Sequence, residues 1–318
     1  GMVAAGRSLQ GSYPGKSTNQ DSFVMKDLRP FTPRSVERPE GGEQLAPESD
    51  GRAGPLEELT CPAGGDAIIG VYDGHGEHGH HVSRFVKDRL AAELQKIDRA
   101  NLSDAQTAER ALAEAHERTQ EALKSSGIDV SLSGSTACTA LKRGRRLLVA
   151  NVGDSRAVLG RLDPATGRLL ARDLSEDHKP DCAKERARIE GGGGRVHPSM
   201  VPGRGFAGPA RVWDRSQRFG LATSRSMGDT VYGGPNRSGV IAEPDVTTHK
   251  LDRSDKFVIL ASDGVWDRIS SQEAVEIARR AKDAAHASEQ IAHVARERWH
   301  RAGPVADDIT AVVVSLSS

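Results

Sequence analysis

Aspartates stand directly at the ends of continuous apolar runs in this chain, and this placement limits the fold more than any other feature. Asp73 and Asp263 each follow such a run, Asp307 comes just before another, and Asp154 follows a fourth. Runs of this length and composition predict buried strands. A carboxylate that is buried by itself is costly, so these aspartates are expected to meet cations or strong hydrogen-bond donors.

The type of ligand limits which cations could be held. Carboxylate oxygens are hard ligands, and the chain has no Cys/His pair at zinc spacing, so Mg²⁺ or Mn²⁺ is expected rather than Zn²⁺. Two such ions about 3.5–4 Å apart would generate a hydroxide near neutral pH and clamp a phosphoryl group. A single Asp-Gly pair is usually only a turn. The prediction therefore rests on several aspartates at buried strand ends taken together.

Hydrophobic periodicity predicts a mixed order of strands and helices. The predicted strands are 67–72, 147–151, 157–162, 169–174, 257–261 and 309–316. The predicted helices run from about Val82 to Ile97, from Ser103 to Gly127, from Asp181 to Glu190, from Ser270 to about Ala284 and from Ser288 to about Arg301. Because strands and helices do not alternate one for one, an α+β fold is favoured over a doubly wound sheet.

Two segments interrupt this pattern. Residues 29–65 are rich in Pro, Gly and Glu and poor in large apolar side chains, which is typical of a solvated loop. Residues 191–218 begin with four glycines and carry three prolines, so an irregular flap is expected there. We therefore predict a single domain covering residues 1–318, with a loop insertion at 29–65 and a variable flap at about 191–218.

Bulk composition excludes several classes of function. The 44 basic and 44 acidic side chains balance, which gives no support for a nucleic-acid partner or an acidic membrane surface. Three cysteines are too few for a disulfide framework and favour a reducing compartment, so a cytoplasmic or nuclear location is expected. A monomer is also expected. No apolar stretch reaches the length of a membrane span. The opening Gly1-Met2-Val3 is interpreted as an expression remnant before a start methionine.

The most specific signal is a set of eight ordered motifs. In chain order they are Asn19-Gln20-Asp21, Val71-Tyr72-Asp73-Gly74-His75-Gly76, Gly134-Ser135-Thr136-Ala137, Ala150-Asn151-Val152-Gly153-Asp154-Ser155-Arg156, Asp177-His178-Lys179-Pro180, Leu221-Ala222-Thr223-Ser224-Arg225-Ser226-Met227-Gly228-Asp229, Ser262-Asp263-Gly264-Val265-Trp266-Asp267 and Asp307-Asp308-Ile309-Thr310. This set resembles the type 2C protein phosphatases (PPM-type), the metal-dependent serine/threonine class. The resemblance extends from about Ser12 to the C-terminus, apart from residues 29–65 and 203–218.

The resemblance implies a four-layer α-β-β-α sandwich, in which two antiparallel sheets lie between pairs of helices and metal ions sit in a cleft at one end. It implies that Asp73 bridges two Mg²⁺ or Mn²⁺ ions. By the same resemblance Asp21 acts mainly through bound water, the Gly74 carbonyl is a direct ligand, and Asp263 and Asp307 complete the shell of the second ion.

A weaker third-metal site is also implied, with Asp154 and Asp267 beside Asp263. The implied reaction is direct attack of a metal-bridging hydroxide on phosphoserine or phosphothreonine in protein substrates, with His75 as general acid for the alkoxide leaving group. Lys16 stands where the family often has an arginine, so it is expected to grip the phosphate as a point charge without a bidentate fork. Gln20 stands where many members have glutamate.

Two alternatives were weighed against this interpretation. Cys182 and Arg188 have the Cys-x5-Arg spacing of cysteine-based phosphatases, but the residues between them are charged helix formers without a glycine. The other alternative is a catalytically weak or non-catalytic binding protein on the same fold. Its signature would be the loss of metal-binding aspartates, and all of them are present in this chain.

Overall fold

The computed structural model describes residues 2–12, 18–28, 56–61, 65–98, 102, 104–201, 205–233 and 239–316. In chain order the strands are β1 (Met2–Leu9), β2 (Ser22–Asp27), β3 (Glu57–Cys61), β4 (Ala67–Tyr72), β5 (Gly74–His75), β6 (Gly134–Ser135), β7 (Ala137–Arg143), β8 (Arg146–Val152), β9 (Arg156–Leu162), β10 (Leu169–Asp173), β11 (Val196–Val201), β12 (Gly205–Trp213), β13 (Gly220–Leu221), β14 (Met227–Gly228), β15 (Asp245–Lys250), β16 (Asp255–Ala261) and β17 (Ile309–Leu316). The helices are α1 (Gly79–Gln95), α2 (Ala105–Lys124), α3 (Ala183–Gly191), α4 (Asp263–Trp266), α5 (Ser271–Arg280) and α6 (Ala284–Ala302), with a 3₁₀ turn at Thr230–Tyr232.

Two antiparallel sheets form the centre of the protein. The six-stranded sheet has the order β10-β9-β16-β17-β1-β3, and the five-stranded sheet has the order β15-β8-β7-β4-β2. The sides of the two sheets that face each other share one buried apolar cluster, to which Ala4 and Val312 contribute from one sheet and Val71 and Val149 from the other. This core joins the two sheets into a sandwich.

Helix pairs cover both outer faces of the sandwich. Ile291 of α6 packs on Val313 of the six-stranded sheet, and Leu90 of α1 and Leu112 of α2 pack on Leu148 of the five-stranded sheet. The central strands are thus buried on both faces, which explains why their sequences are continuous apolar runs. The predicted four-layer α+β sandwich is confirmed. Within the described residues, no helix combines the length and the apolar composition that crossing a membrane requires.

Two helices have N-cap residues other than the predicted ones. α2 begins after Asp104, whose carboxylate accepts the Thr107 N–H at 2.9 Å, whereas the predicted cap Ser103 lies outside the described residues. α6 begins after Asp283, well before the predicted start at Ser288. Asp and Ser are about equally good N-caps. The sequence therefore offers more than one residue at which each helix could begin, and the local pattern does not distinguish between them.

Three segments carry more regular structure than predicted. β1, for which no strand was predicted, lies inside the six-stranded sheet between β17 and β3. β3 falls in the predicted insertion at 29–65, of which residues 29–55 and 62–64 lie outside the described part of the chain. The flap at 191–218 is not irregular, because β11 and β12 form an antiparallel pair that β13 extends.

Candidate active site

Antiparallel pairing brings the predicted metal-binding aspartates to one end of the sandwich. The first residue of β2 pairs with the last residue of β4, so Asp21 lies beside Asp73. In the other sheet β17 begins beside the end of β16, which brings Asp307 close to Asp263. Asp154 follows β8, and its charge also acts on Asp73. Five of the predicted ligands therefore meet in one place.

Asp73 lies at the centre of this cluster. Burial raises the pKa of its carboxyl well above the ordinary value, and the charges of the surrounding aspartates raise it further. The pKa of Asp263 is raised in the same way, by burial and by the charges of Asp154 and Asp307. The backbone of Asp73 is held on both sides by Thr136, whose hydroxyl accepts its N–H at 2.9 Å and whose N–H donates to its carbonyl at 2.8 Å.

The chemistry of the cluster fits divalent cations. Burial and the charge of Asp308 raise the pKa of Asp21 to about 7. The Ser262 hydroxyl donates to Asp21 Oδ2 at 2.9 Å, while the buried Oδ1 atom has no hydrogen-bond partner among the described residues. In that same part of the chain no three His, Cys, Asp or Glu side chains already have the arrangement of metal ligands. The case for cations therefore does not rest on a preformed coordination shell. It rests on the repulsion between the buried carboxylates and on their oxygen atoms, which are the ligands that hard divalent cations prefer.

A lysine that the sequence analysis did not assign contacts the predicted third-metal site. Lys179 Nζ is hydrogen-bonded to Asp154 Oδ2 and lies 3.9 Å from Asp263 Oδ2. Burial opposes the charge on this lysine, but the neighbouring carboxylates outweigh it and raise its pKa. Burial also raises the pKa of Asp267, which Lys179 partly offsets. An ammonium group thus already neutralises part of the charge that a third cation would meet.

His75, the predicted general acid, is held by a second residue that the sequence analysis did not assign. His75 Nε2 lies 2.6 Å from Asp229 Oδ2, and a carboxylate can only accept, so Nε2 carries a proton. The imidazole is about one-quarter exposed, whereas the Asp229 side chain is fully buried. Burial lowers the pKa of His75, but the charge and hydrogen bond of Asp229 outweigh it and raise the pKa above its ordinary value.

The backbone around Asp229 is shaped for this contact. Asp229 adopts a left-handed conformation with φ 49°, which is uncommon for a residue other than glycine. Its N–H donates to the Ser133 carbonyl at 3.1 Å. A Cβ atom on Gly134 would lie only 1.9 Å from Asp229 Oδ2, so a glycine is needed there to let the carboxylate reach His75.

Asp308 and Gln20 tie the predicted ligand loops together. Asp308 accepts the Gly11 N–H and the Gln20 N–H, each at 2.7 Å. The Gln20 side-chain amide donates to the Gly76 carbonyl at 2.7 Å, and the Gln20 carbonyl accepts the Gly74 N–H at 3.2 Å. The amide at position 20 therefore acts as a hydrogen-bond donor to the loop that carries His75, which a glutamate carboxylate could not do.

The remaining residues named from the sequence are Lys16, Cys182, Arg188 and Asp177. Lys16, the predicted phosphate grip, lies outside the described residues. Cys182 directly precedes α3, and the Arg188 guanidinium donates to Glu185 at 2.8 Å. This arrangement does not resemble a loop of phosphate-facing N–H groups around a thiolate. Asp177 is paired with Arg156 through two hydrogen bonds.

Comparison with protein families gives one match over most of the chain. The family model described as Protein phosphatase 2C matches residues 57–302. The rice (Oryza sativa subsp. japonica) protein named "Probable protein phosphatase 2C 12" is 32% identical, over 99% of this chain and 91% of that protein. A second rice protein, named "Probable protein phosphatase 2C 64", is 38% identical over 78% of this chain, and the match spans 58% of its own length.

Comparison with solved structures supports the same fold. The crystal structure of serine-threonine phosphatase 2C from Toxoplasma gondii superposes with a TM-score of 0.74 at 23% identity, and covers 99% of this chain and 94% of that one. At this level of identity the likeness concerns the fold.

Proposed function

Because the chain belongs to the protein phosphatase 2C family, whose members are metal-dependent serine/threonine phosphatases, we propose that it hydrolyses phosphoserine and phosphothreonine in proteins. The observation that carries this proposal is the convergence of Asp21, Asp73, Asp154, Asp263 and Asp307 at one end of the sandwich. A non-catalytic binding protein on the same fold is not favoured, since this acidic cluster is complete.

Different residues of the cluster would bind each of the two cations. Asp73 would contact two Mg²⁺ or Mn²⁺ ions, with Asp21 and the Gly74 carbonyl on one side and Asp263 and Asp307 on the other. The chemistry supplied by two bound divalent ions is a hydroxide nucleophile near neutral pH and partial neutralisation of the phosphoryl charge. Asp21 Oδ1 supports a cation at this residue, because it is a buried acceptor without a donor in the described residues.

A third cation would bind more weakly than these two. Asp154, Asp263 and Asp267 are the residues that would hold it. The Lys179 ammonium group already contacts Asp154, so a cation would have to displace it or share its charge. We therefore propose two strongly held ions, with a third whose affinity this lysine lowers.

His75 would protonate the leaving alkoxide. Serine and threonine alkoxides are poor leaving groups, so a general acid is needed as the bond to phosphorus breaks. Asp229 holds Nε2 of the imidazole and favours its protonated form, which leaves Nδ1 to donate a proton to the leaving oxygen. Asp229 is thus a positioning residue that acts through His75.

The experiment that tests this function is phosphate release from a phosphothreonine peptide with Mn²⁺, with Mg²⁺ and with EDTA. We expect activity with either metal, none with EDTA, and a loss of at least about 100-fold in the Asp263→Asn variant. Activity that survives EDTA but is lost on alkylation would instead support the cysteine-based alternative at Cys182. Full activity of Asp263→Asn would contradict the proposal.

A further inference from the structure

A pocket of about 320 Å³ lies between the flap and the 3₁₀ turn. Its walls include Arg195 and Arg215, the side of Trp213, and the turn residues Val231 and Tyr232. The Trp213 ring is fixed from behind, because its Nε1–H donates to the His197 carbonyl at 2.8 Å and the His197 ring stacks on it at 4.9 Å. The pocket therefore has one rigid aromatic wall and a charged rim.

The charge of this pocket is positive in effect. Arg195 and Arg215 are exposed, and the described part of the chain offers neither guanidinium an acidic partner. Asp214 also lines the pocket, but its carboxylate already accepts hydrogen bonds from the backbone N–H groups of Ser216, Arg218 and Phe219 and from the Ser216 hydroxyl. These bonds lower the pKa of Asp214 to about 2 although burial opposes them, so its charge is well compensated.

Tyr232 lines the pocket with a neutral aromatic side chain. Burial raises the pKa of Tyr232 to about 12, with smaller contributions from Asp229 and Asp214. Its hydroxyl therefore keeps its proton throughout the neutral range. Two guanidinium groups beside a wall that carries no charge of its own suit a carboxylate.

One wall of the pocket is close in the chain to Asp229, which contacts His75. Val231 follows Asp229 by two residues, so this wall begins within about 7 Å of the Cα atom of the residue that holds His75. An extended peptide advances about 3.3–3.6 Å per residue. A side chain in the pocket would then belong to a residue within about four positions of the phosphorylated one.

We propose that this pocket binds an aspartate or glutamate side chain of the phosphoprotein substrate and thereby selects phosphorylation sites in acidic sequences. The assignment rests on the proposed phosphatase function and adds a specificity determinant to it. An anionic group would pair with Arg195 and Arg215, while Val231, which is 38% exposed, would contact the aliphatic part of the substrate.

The test compares pairs of phosphothreonine peptides in which one position carries either glutamate or glutamine. This position is varied in turn over the four residues before and the four residues after the phosphothreonine. We expect the wild type to prefer glutamate at one or two neighbouring positions, by about fivefold in kcat/KM at low salt and less at high salt. The double variant Arg195→Gln/Arg215→Gln should lose this preference. The charge-reversed double variant Arg195→Glu/Arg215→Glu should prefer a lysine peptide.

Two controls separate this inference from the proposed function. Turnover of p-nitrophenyl phosphate, which has no side chain for the pocket, is measured for every variant and used to normalise the peptide rates. Arg280→Gln removes an exposed arginine from α5, on the far side of the six-stranded sheet, and should leave the glutamate preference unchanged. The proposed role of the pocket alone would be wrong if the wild type showed no preference for glutamate, or if that preference persisted in both double variants. Loss of activity on every substrate in the wild type with Mn²⁺ would overturn the phosphatase function and the pocket together.

Discussion

Replacing Asp229 with asparagine is expected to slow the hydrolysis of phosphothreonine peptides far more than the hydrolysis of p-nitrophenyl phosphate. Asparagine tolerates the left-handed backbone that Asp229 adopts, so the fold should be retained. What is lost is the carboxylate charge 2.6 Å from His75 Nε2. The protonated imidazole then becomes less favourable, and only a threonine alkoxide depends on its proton, since p-nitrophenolate leaves without one.

The size of the effect follows from the contact that is removed. A charge-assisted hydrogen bond contributes about 1.5–3 kcal/mol, and each ~1.36 kcal/mol is a factor of ten in rate, so the peptide rate should fall about 10- to 150-fold. This loss does not exceed the factor of about 10²–10⁴ that a general acid can supply in total. Because Asp229 raises the pKa of His75, the variant should also lose peptide activity at a lower pH than the wild type as the pH increases.

The assay measures kcat/KM for both substrates across pH in the presence of saturating Mn²⁺. A matched control is available in Asp255→Asn, because Asp255 is another buried aspartate, with Oδ2 3.0 Å from His249 Nε2 at the opposite end of β16. This control should leave the ratio of the two activities unchanged. If Asp229→Asn also leaves that ratio unchanged, the role of Asp229 in positioning His75 is wrong.

Three further variants test other parts of the structure. In EDTA, the unfolding free energy of the wild type should fall as the pH rises from 3.8 to about 7, because folded Asp21 keeps a proton that the unfolded chain releases. Urea unfolding of Asp21→Asn should show this pH dependence reduced by up to ~4 kcal/mol. Arg225→Met should cost about 3–5 kcal/mol of unfolding free energy, since it strips the buried Glu185 carboxylate of a partner at 2.6 Å. Lys179→Met should strengthen Mn²⁺ binding at the weaker site around Asp154 by about fivefold, as measured by electron paramagnetic resonance.

Each of these variants has its own control or refuting result. A pH profile in EDTA that is identical for the wild type and Asp21→Asn would contradict the raised pKa of Asp21. For the buried pair, Glu273→Gln breaks a half-exposed contact with Arg298 and should cost less than about 1 kcal/mol. For the third site, Lys184→Met removes an exposed lysine that pairs with Asp245 and should leave Mn²⁺ binding unchanged.

The fold could be predicted where strands are buried on both faces. The runs 67–72 and 309–316 coincide with β4 and β17, and the predicted ends of these strands are the ends that carry Asp73 and Asp307. β1 escaped prediction because its second half, with Gly6 and two polar residues, does not form a continuous apolar run. A Cβ atom at that glycine would lie 2.6 Å from the Phe23 ring, so a larger residue there would displace the ring.

The aspartates of the site could be predicted from sequence. The contacts of Asp229 with His75 and of Lys179 with Asp154 could not. His75 and Asp229 are 154 residues apart, and nothing in the spacing of their motifs joins them. Lys179 belongs to an identified motif, yet its contact with Asp154 depends on the loop geometry that follows β8. Both contacts arise from tertiary folding between segments whose local patterns are unrelated. The one local signal was the residue type at position 229, because aspartate tolerates the left-handed conformation better than most residues.

The most direct test of the account is a calorimetric titration of the metal-free protein with Mn²⁺, run alongside phosphate release from a phosphothreonine peptide. We expect two strongly bound ions per chain in the wild type, with phosphate release rising as the second ion binds. Asp73→Asn, which alters the centre of the acidic cluster, should lose this binding and this activity together. Full activity of the metal-free protein, or two ions still bound strongly in Asp73→Asn, would contradict it.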